Sequence, residues 1–362
     1  MRDEKTIKQG VRLAGRGSLS NANGRYEKQT LSYEDDGWGL PEEERLLRTH
    51  VTFEQARSVV TYNRSPDLPF DRSINPYRGC EHGCVYCFAR PTHAWLGMSP
   101  GLDFETRLIA KSNAAEVLER ELRKPRYKPA VIAIGTNTDP YQPIEKQYEI
   151  VRSCLIVLRR FAHPVAIVTK GTLIERDIDI LSEMAAAKLA AVGVSVTTLD
   201  ADLSRKMEPR APSPKRRLAV IRRLSQAGIP VRIMASPMVP GLSDHEMEAI
   251  LTAGKDAGAV AASWVMLRLP LEVSDLFREW VEQHYPNKAA KVMTLLRDMH
   301  GGREYSAQWG KRMRGEGPYA KLVASRFDRA TRCLGLRQQM VPLDCGLFVP
   351  PKVQGAQMSL EL

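Results

Sequence analysis

Five short apolar runs recur along this chain, each about one helix apart: VIAIG (131–135), VAIVTK (165–170), AVGVSV (191–196), VRIMA (231–235) and WVMLRL (264–269). Near-continuous apolar runs suit strands buried on both faces; a strand with one wet face would alternate instead. Amphipathic stretches fill the intervals: NAAEVLERELRK, KQYEIVRSCLIVLRRF, RDIDILSEMAAAK, PKRRLAVIRRLSQAG and DHEMEAILTAGKDAG. The last two end at glycine, the residue that most readily closes a helix in the left-handed conformation. Strands and helices alternating at this spacing call for a parallel sheet with right-handed crossovers. With SINPYRG (73–79) as a first strand there are six strands, which suits a partial (β/α)6 barrel. In such barrels the chemistry sits at the C-terminal ends of the strands.

Composition divides the 362 residues into four parts. Residues 1–60 include GRGSLSNANGRYEKQ, show no period and read as a flexible N-terminal arm. Residues 61–271 carry the strand–helix units. Residues 272–337 turn helical, in LFREWVEQHYP, NKAAKVMTLLRDM and PYAKLVASRFDRATRCLG, and are expected to cap the open side of the barrel. Residues 338–362 are punctuated by Pro and Gly and read as an extended tail. No run approaches the ~18 apolar residues of a membrane-spanning helix. The N-terminal MRDEKTIKQGVRLAGRG lacks the apolar centre of a secretory signal, so a cytoplasmic protein is expected.

The segment RGCEHGCVYCFARPTH (78–93) places Cys80, Cys84 and Cys87 within eight positions, directly after the first strand. Cys154, Cys333 and Cys345 are scattered, so this is no disulfide framework, and clustered cysteines point to metal or redox chemistry. Thiolates bind soft or borderline metals. One reading is structural zinc with His82 or His93 as a fourth ligand. The second ligand pair usual in such sites is absent, and His82, between two cysteines, is badly placed to reach the same ion. The other reading is a [4Fe–4S] cluster on three cysteines, with one iron open to an exogenous ligand.

C-x3-C-x-aromatic-C followed by five more strand–helix units resembles the radical S-adenosylmethionine (SAM) superfamily, over roughly residues 71–270. YRGCEHGCVYCFARPTH, GTNTDPYQ, IVTKG, SVTTLD with MEPRAPSP, and MASPMVPGLSD are more closely similar to the spore photoproduct lyase group and its DNA repair photolyase-like relatives. Within that group the chain is similar to a bacterial subgroup in which most of these motifs recur. The resemblance implies an α/β fold, a partial TIM-type barrel, and an enzyme using a [4Fe–4S] cluster and SAM. It also implies reductive cleavage of SAM to a 5′-deoxyadenosyl radical, fed by an electron donor such as flavodoxin or ferredoxin.

Carried over by position, the resemblance makes Cys80, Cys84 and Cys87 the cluster ligands and sets Tyr86 near adenine. It sets Asn137 and Thr138 at the SAM amino group, and Lys170 and Ser195 at the carboxylate and ribose. Met234 would flank the adenine and Leu267 would supply a backbone contact from the sixth strand. A cationic amine suits a carboxylate. Arg210 in EPRAP is a candidate for SAM's carboxylate or a substrate phosphate. Asp139, before Pro140, reads first as a turn residue bonded to the next loop. One position departs from the pattern: where spore photoproduct lyase keeps a hydrogen-returning cysteine at the end of the second strand, this chain has Thr136. A hydroxyl is a far poorer hydrogen-atom donor than a thiol, so classical spore photoproduct lyase activity is not expected.

The formal charge of +11 is uneven. Residues 205–223 hold eight Lys/Arg against one acid, Glu208, and residues 301–340 hold nine against three, interleaved with Tyr305, Trp309 and Tyr319. Such segments track a phosphate backbone or form solvated helix faces. In the terminal GAQMSLEL, residues Gln357, Leu360 and Leu362 fit Q-x-x-L-x-L, which resembles the bacterial sliding-clamp-binding motif. The favoured expectation is a radical SAM enzyme acting on nucleic acid, DNA above all, without a membrane partner. The alternatives are a radical SAM enzyme acting on RNA, protein or a small molecule, and a non-catalytic metal-stabilised nucleic-acid-binding module.

Overall fold

The computed structural model describes residues 15–26 and 48–351. Six strands run parallel in chain order: β3 (Arg72–Ile74), β6 (Ile132–Ile134), β7 (Val165–Thr169), β8 (Ala190–Ser195), β9 (Val231–Met238) and β10 (Ala261–Met266). The antiparallel strand β2 (Val60–Tyr62) borders β3, so the sheet order is β10-β9-β8-β7-β6-β3-β2. This is the expected α/β partial barrel. All six residues of β8 are buried, as both-face burial requires. Each fully buried Val or Ile contributes roughly 1.5–3 kcal/mol, so the apolar runs are also the main source of stability.

The crossover helices follow the amphipathic stretches: Ala114–Leu122, Ile150–Arg160, Ile178–Ala186, Pro214–Gln226 and Met247–Asp256. Pro214 opens its helix, where a missing N–H costs nothing. Gly258 follows the Met247–Asp256 helix at φ 100°, and a Cβ there would strike the Ser225 side chain.

Three differences from the sequence reading have clear causes. SINPYRG is split. Ile74 ends β3, Asn75 and Pro76 turn the chain, and β4 (Tyr77–Arg78) joins a separate sheet with β5 (Arg107–Lys111) and β1 (His50–Glu54), in the order β1-β5-β4. Pro76 has no N–H to give a ladder. Strand β10 begins three residues before WVMLRL, at Ala261, because small Ala-Ala-Ser pairs with Arg232–Met234 of β9; Leu267 therefore lies one residue beyond the strand. Parts of the presumed arm are built into the fold: β1 lies within it, β2 starts at its last residue, and residues 15–26 pack beside the cysteine loop. Residues 1–14 and 27–47 lie outside the described residues.

Helices Val273–His284, Pro286–Met299 and Gly317–Leu334 form the C-terminal extension. The last one packs on the Met247–Asp256 helix and sets Phe327 against Trp264 of β10. Beyond it the chain straps the N-terminal end of the barrel. Arg337 pairs with Val260 and Ala262 at the start of β10, and the Asp344 N–H donates to Lys188 O before β8. Phe348 packs on Phe161, Tyr127 and His163 before β7, and Pro351 O accepts from Arg123.

Candidate active site

The cysteine loop leaves β4 at the C-terminal end of the parallel strands. Gly79 and Gly83 hold φ of 77° and 66°, and a Cβ on Gly83 would meet the Glu105 carboxylate, so the loop needs glycine there. Backbone bonds tie it down: the Cys80 N–H donates to Phe104 O and the Val85 N–H to Met207 O. Gln142 clamps it from the next loop, accepting from the Glu81 N–H and donating to Gly79 O. Arg90, wholly buried, donates to the carbonyls of Gly83, Cys84, Pro100 and Gly101 and pairs with buried Glu105. Glu105 also accepts from the Gly17 and Ser18 N–H groups at 3.0 and 2.9 Å.

Cys80, Cys84 and Cys87 are free thiols that feel one another electrostatically. Burial pushes the Cys84 thiol up to about 12, with Lys170 pulling the other way. A coordinated metal overturns such a shift, because a ligating thiol is deprotonated outright. Among the described residues no three His, Cys, Asp or Glu side chains converge to hold one metal ion. Three clustered thiols suit a [4Fe–4S] cluster, which takes one cysteine on each of three irons. The histidines are committed elsewhere. His82 Nδ1 lies 3.4 Å from Asp139, and buried His93 meets Arg107 O through Nε2 and packs on Phe104.

Beside the cysteines lies a buried polar network. Glu208 accepts from Tyr86, Thr197 and Arg217, and the Lys170 ammonium stands 4.0 Å away. Burial opposes ionisation of Glu208, but Arg217 and Lys170 hold its carboxyl down at about 2. Burial likewise works against the Lys170 charge, and Cys84 and Glu208 outweigh it, so the amine stays protonated. Arg217 also donates to Ser195 O and Pro212 O, which fixes the end of β8 to the MEPRAP turn.

Asp139 bridges loops: it accepts from the Thr169 hydroxyl, the Lys170 N–H and the Tyr141 N–H. Burial opposes its ionisation, but His82 and these donors hold it well below the usual carboxylate range. Asn75 accepts from the Asn137 N–H and donates to the Thr136 hydroxyl, which pins the turn after β6. Thr138 spends its hydroxyl on Tyr77 O, whereas the Asn137 amide has no partner among the described residues. Ser195 and Met234 sit opposite each other on β8 and β9, and the Leu267 N–H donates to Met238 O. Arg210 is bonded to Glu81, which also accepts from Thr49. Gln357, Leu360 and Leu362 lie outside the described residues.

Sequence reading missed Glu208 and Arg217 as site residues, although Glu208 is the lone acid among the eight basic residues of 205–223. A single carboxylate in such a run is there to be paired. Much of the basic excess is absorbed this way: Arg216 and Arg223 meet Glu175, Arg312 meets Asp67, and Arg326 meets Glu248.

The sequence profile of the radical SAM superfamily matches residues 74–253. An uncharacterised protein of Mycobacterium tuberculosis is 36% identical over 252 residues, 68% of this chain and 74% of that protein. An uncharacterised protein of Methanocaldococcus jannaschii is 27% identical over 213 residues, 59% of this chain and 76% of that one. Spore photoproduct lyase complexed with dinucleoside spore photoproduct superposes with a TM-score of 0.58 at 15% identity, over 80% of this chain and 82% of that one, a likeness of fold. Among the described residues no helix is long and apolar enough to cross a membrane. The cysteine loop at the strand ends, the six parallel strands and these matches agree: the chain belongs to the radical SAM superfamily of enzymes, whose cofactors are a [4Fe–4S] cluster and SAM.

Proposed function

We propose that this chain holds its cluster on Cys80, Cys84 and Cys87, cleaves SAM reductively and acts on nucleic acid, DNA first, in a repair-like or lyase-like reaction. A cluster held on these cysteines would supply one-electron reduction of SAM, with the electron drawn from a carrier such as flavodoxin or ferredoxin. The chain's own residues bind and orient. Lys170 offers its ammonium to the SAM carboxylate, Asn137 its free amide to the amino group, and Ser195 its hydroxyl to the ribose. Tyr86, held by Glu208, and Met234 set the adenine side, and the backbone at Leu267 closes it. Glu208 helps keep Lys170 charged and placed, and Arg217 holds Glu208.

The observation carrying the nucleic-acid reading is the placement of one basic, aromatic segment. Residues 301–316 dock at the mouth. The Met266 N–H, at the end of β10, donates to Met313 O, while the Gly310 N–H and Arg312 both bind Asp67. Trp309 stays 59% exposed there. An exposed aromatic among cations suits bases and phosphates together. Thr136 lines the substrate side, where its hydroxyl is no substitute for a thiol, so the hydrogen returned to product comes from another donor. Arg210, bonded to Glu81 of the cysteine loop, is a candidate for a substrate phosphate.

Anaerobic reconstitution with iron and sulfide tests the chemistry. The visible absorbance of an iron–sulfur cluster, and 5′-deoxyadenosine formed from SAM with a strong reductant, are expected; absence of either rejects it. DNA binding across a salt series tests the partner. Phosphate contacts give a steep negative slope, and a flat line rejects nucleic acid. For the tail we propose sliding-clamp binding through Gln357, Leu360 and Leu362. Removal of residues 357–362 should abolish capture by the clamp, and unchanged capture, or none by the full chain, rejects it.

A further inference from the structure

Arg268 lies two residues beyond β10, at the mouth. Its guanidinium stacks on the Phe88 ring at 4.3 Å, and Phe88 follows the cluster ligand Cys87 in the chain. It has no hydrogen-bond or ion-pair partner among the described residues. Burial works against its charge, and Arg312 works in the same direction. Tyr305, Cys87 and Asp67 offset this only in part, and the Asp67 carboxylate is engaged: one oxygen is taken by the Gly310 N–H at 2.7 Å and the other by Arg312 at 2.6 Å. This contrasts with Arg90 and Arg217, which are buried and fully paired with Glu105 and Glu208. A half-buried arginine without a counter-charge is costly unless an anion from outside completes it. Its planar fork matches a phosphate in two bonds at once. Phe88 holds the fork from one face and is itself 44% exposed, a surface on which a base can stack.

We propose that Arg268 anchors a backbone phosphate of the substrate at the Cys87 edge of the cluster site, with Phe88 stacking against the adjoining base. The anchor fixes which nucleotide faces the reacting carbon of SAM, so Arg268 is a specificity-determining residue. This rests on the nucleic-acid reading above.

The test measures duplex DNA binding by the full-length, cluster-loaded protein across a salt series, for the native chain, Arg268→Met, Arg268→Lys and, as a charge control on the outer helix, Lys255→Met. One lost phosphate contact lowers the slope of log K against log salt by about 0.9. Arg268→Met should lose about that much slope and bind several-fold more weakly at low salt. Arg268→Lys should keep the slope and recover only part of the affinity, and Lys255→Met should match the native chain. Visible absorbance equal to native confirms that each variant is folded and loaded. If the native chain gives a steep slope and Arg268→Met gives the same one, the anchor is wrong and the nucleic-acid reading stands. A flat native slope sinks both. If Arg268→Met loses affinity for SAM and not for DNA, the arginine serves the cofactor and the proposal is overturned.

Discussion

Lys170 places its ammonium 4.0 Å from the Glu208 carboxylate and 5.8 Å above the centre of the Tyr86 ring that the same carboxylate holds. A cation so balanced is already desolvated, which raises the worth of any charged hydrogen bond it makes to about 1.5–3 kcal/mol. Lys170→Met should therefore weaken SAM binding roughly ten- to a hundredfold, with iron content unchanged. Equilibrium binding to the reconstituted protein measures it. Native affinity in the variant would mean that Lys170 only balances Glu208.

Cys84→Ala should leave the chain unable to hold a full cluster. Iron and sulfide per chain should fall well below the native content, and the visible band should fade. Cys154→Ala, by contrast, should keep both, because Cys154 is buried in the helix Ile150–Arg160, away from the cysteine loop. If the two variants hold equal iron, the loop does not carry the cluster.

Arg90 and Glu105 are both fully buried and paired, and between them they bind the cysteine loop and the segment at Gly17 and Ser18. Glu105→Ala strands the Arg90 charge and should cost about 3–5 kcal/mol in denaturant unfolding. The exposed pair Arg159–Glu183 gives the contrast. Glu183→Ala there should cost below about 1 kcal/mol. Equal losses from the two would mean that the buried pair does not organise the loop.

His163 is buried against Pro164 O and the Tyr127 hydroxyl, and burial lowers its pKa to about 4. Its folded pKa is depressed, so the unfolded chain takes up a proton first as the pH falls. The stability contributed is complete above the unfolded value of about 6.5 and is lost as pH drops towards about 4. His163→Gln removes that dependence. Unfolding free energy measured from pH 7 to 4 should fall less steeply in the variant than in the native chain, whatever their absolute values. Parallel curves would exclude His163 as the titrating group.

The parallel strands are legible in the chain because both-face burial writes unbroken apolar runs, as in AVGVSV. Legibility fails where small or polar residues make strands through pairing alone. Ala261–Ser263 joins β10 because β9 lies beside it, and His50–Glu54 becomes a strand only through its register with Arg107–Lys111. In the site, spacing marks the cysteines as candidate ligands, and Lys170 is singled out by the family resemblance. Arg90 and Glu105 cannot, since nothing in RPTHAWLGMSPGLDFE shows that two opposite charges will be sealed together. Arg268 is hidden inside WVMLRL, where it looks like an interruption in an apolar run.

The C-terminal strap has a mechanical consequence. The parallel sheet is open between β10 and β2, and among the described residues no ladder crosses that gap. The strap begins on Val260 and Ala262 beside the last strand, and ends on Arg123, just beyond the helix after the first strand–helix unit. It is a hoop drawn round the base of an unclosed staple. A load that spreads the two edges pulls on Arg337, Phe348 and Arg123 at the base, and at the mouth on the Met266–Met313 and Arg312–Asp67 bonds. Both links come from beyond the barrel, so the closure of this open sheet depends on the C-terminal extension.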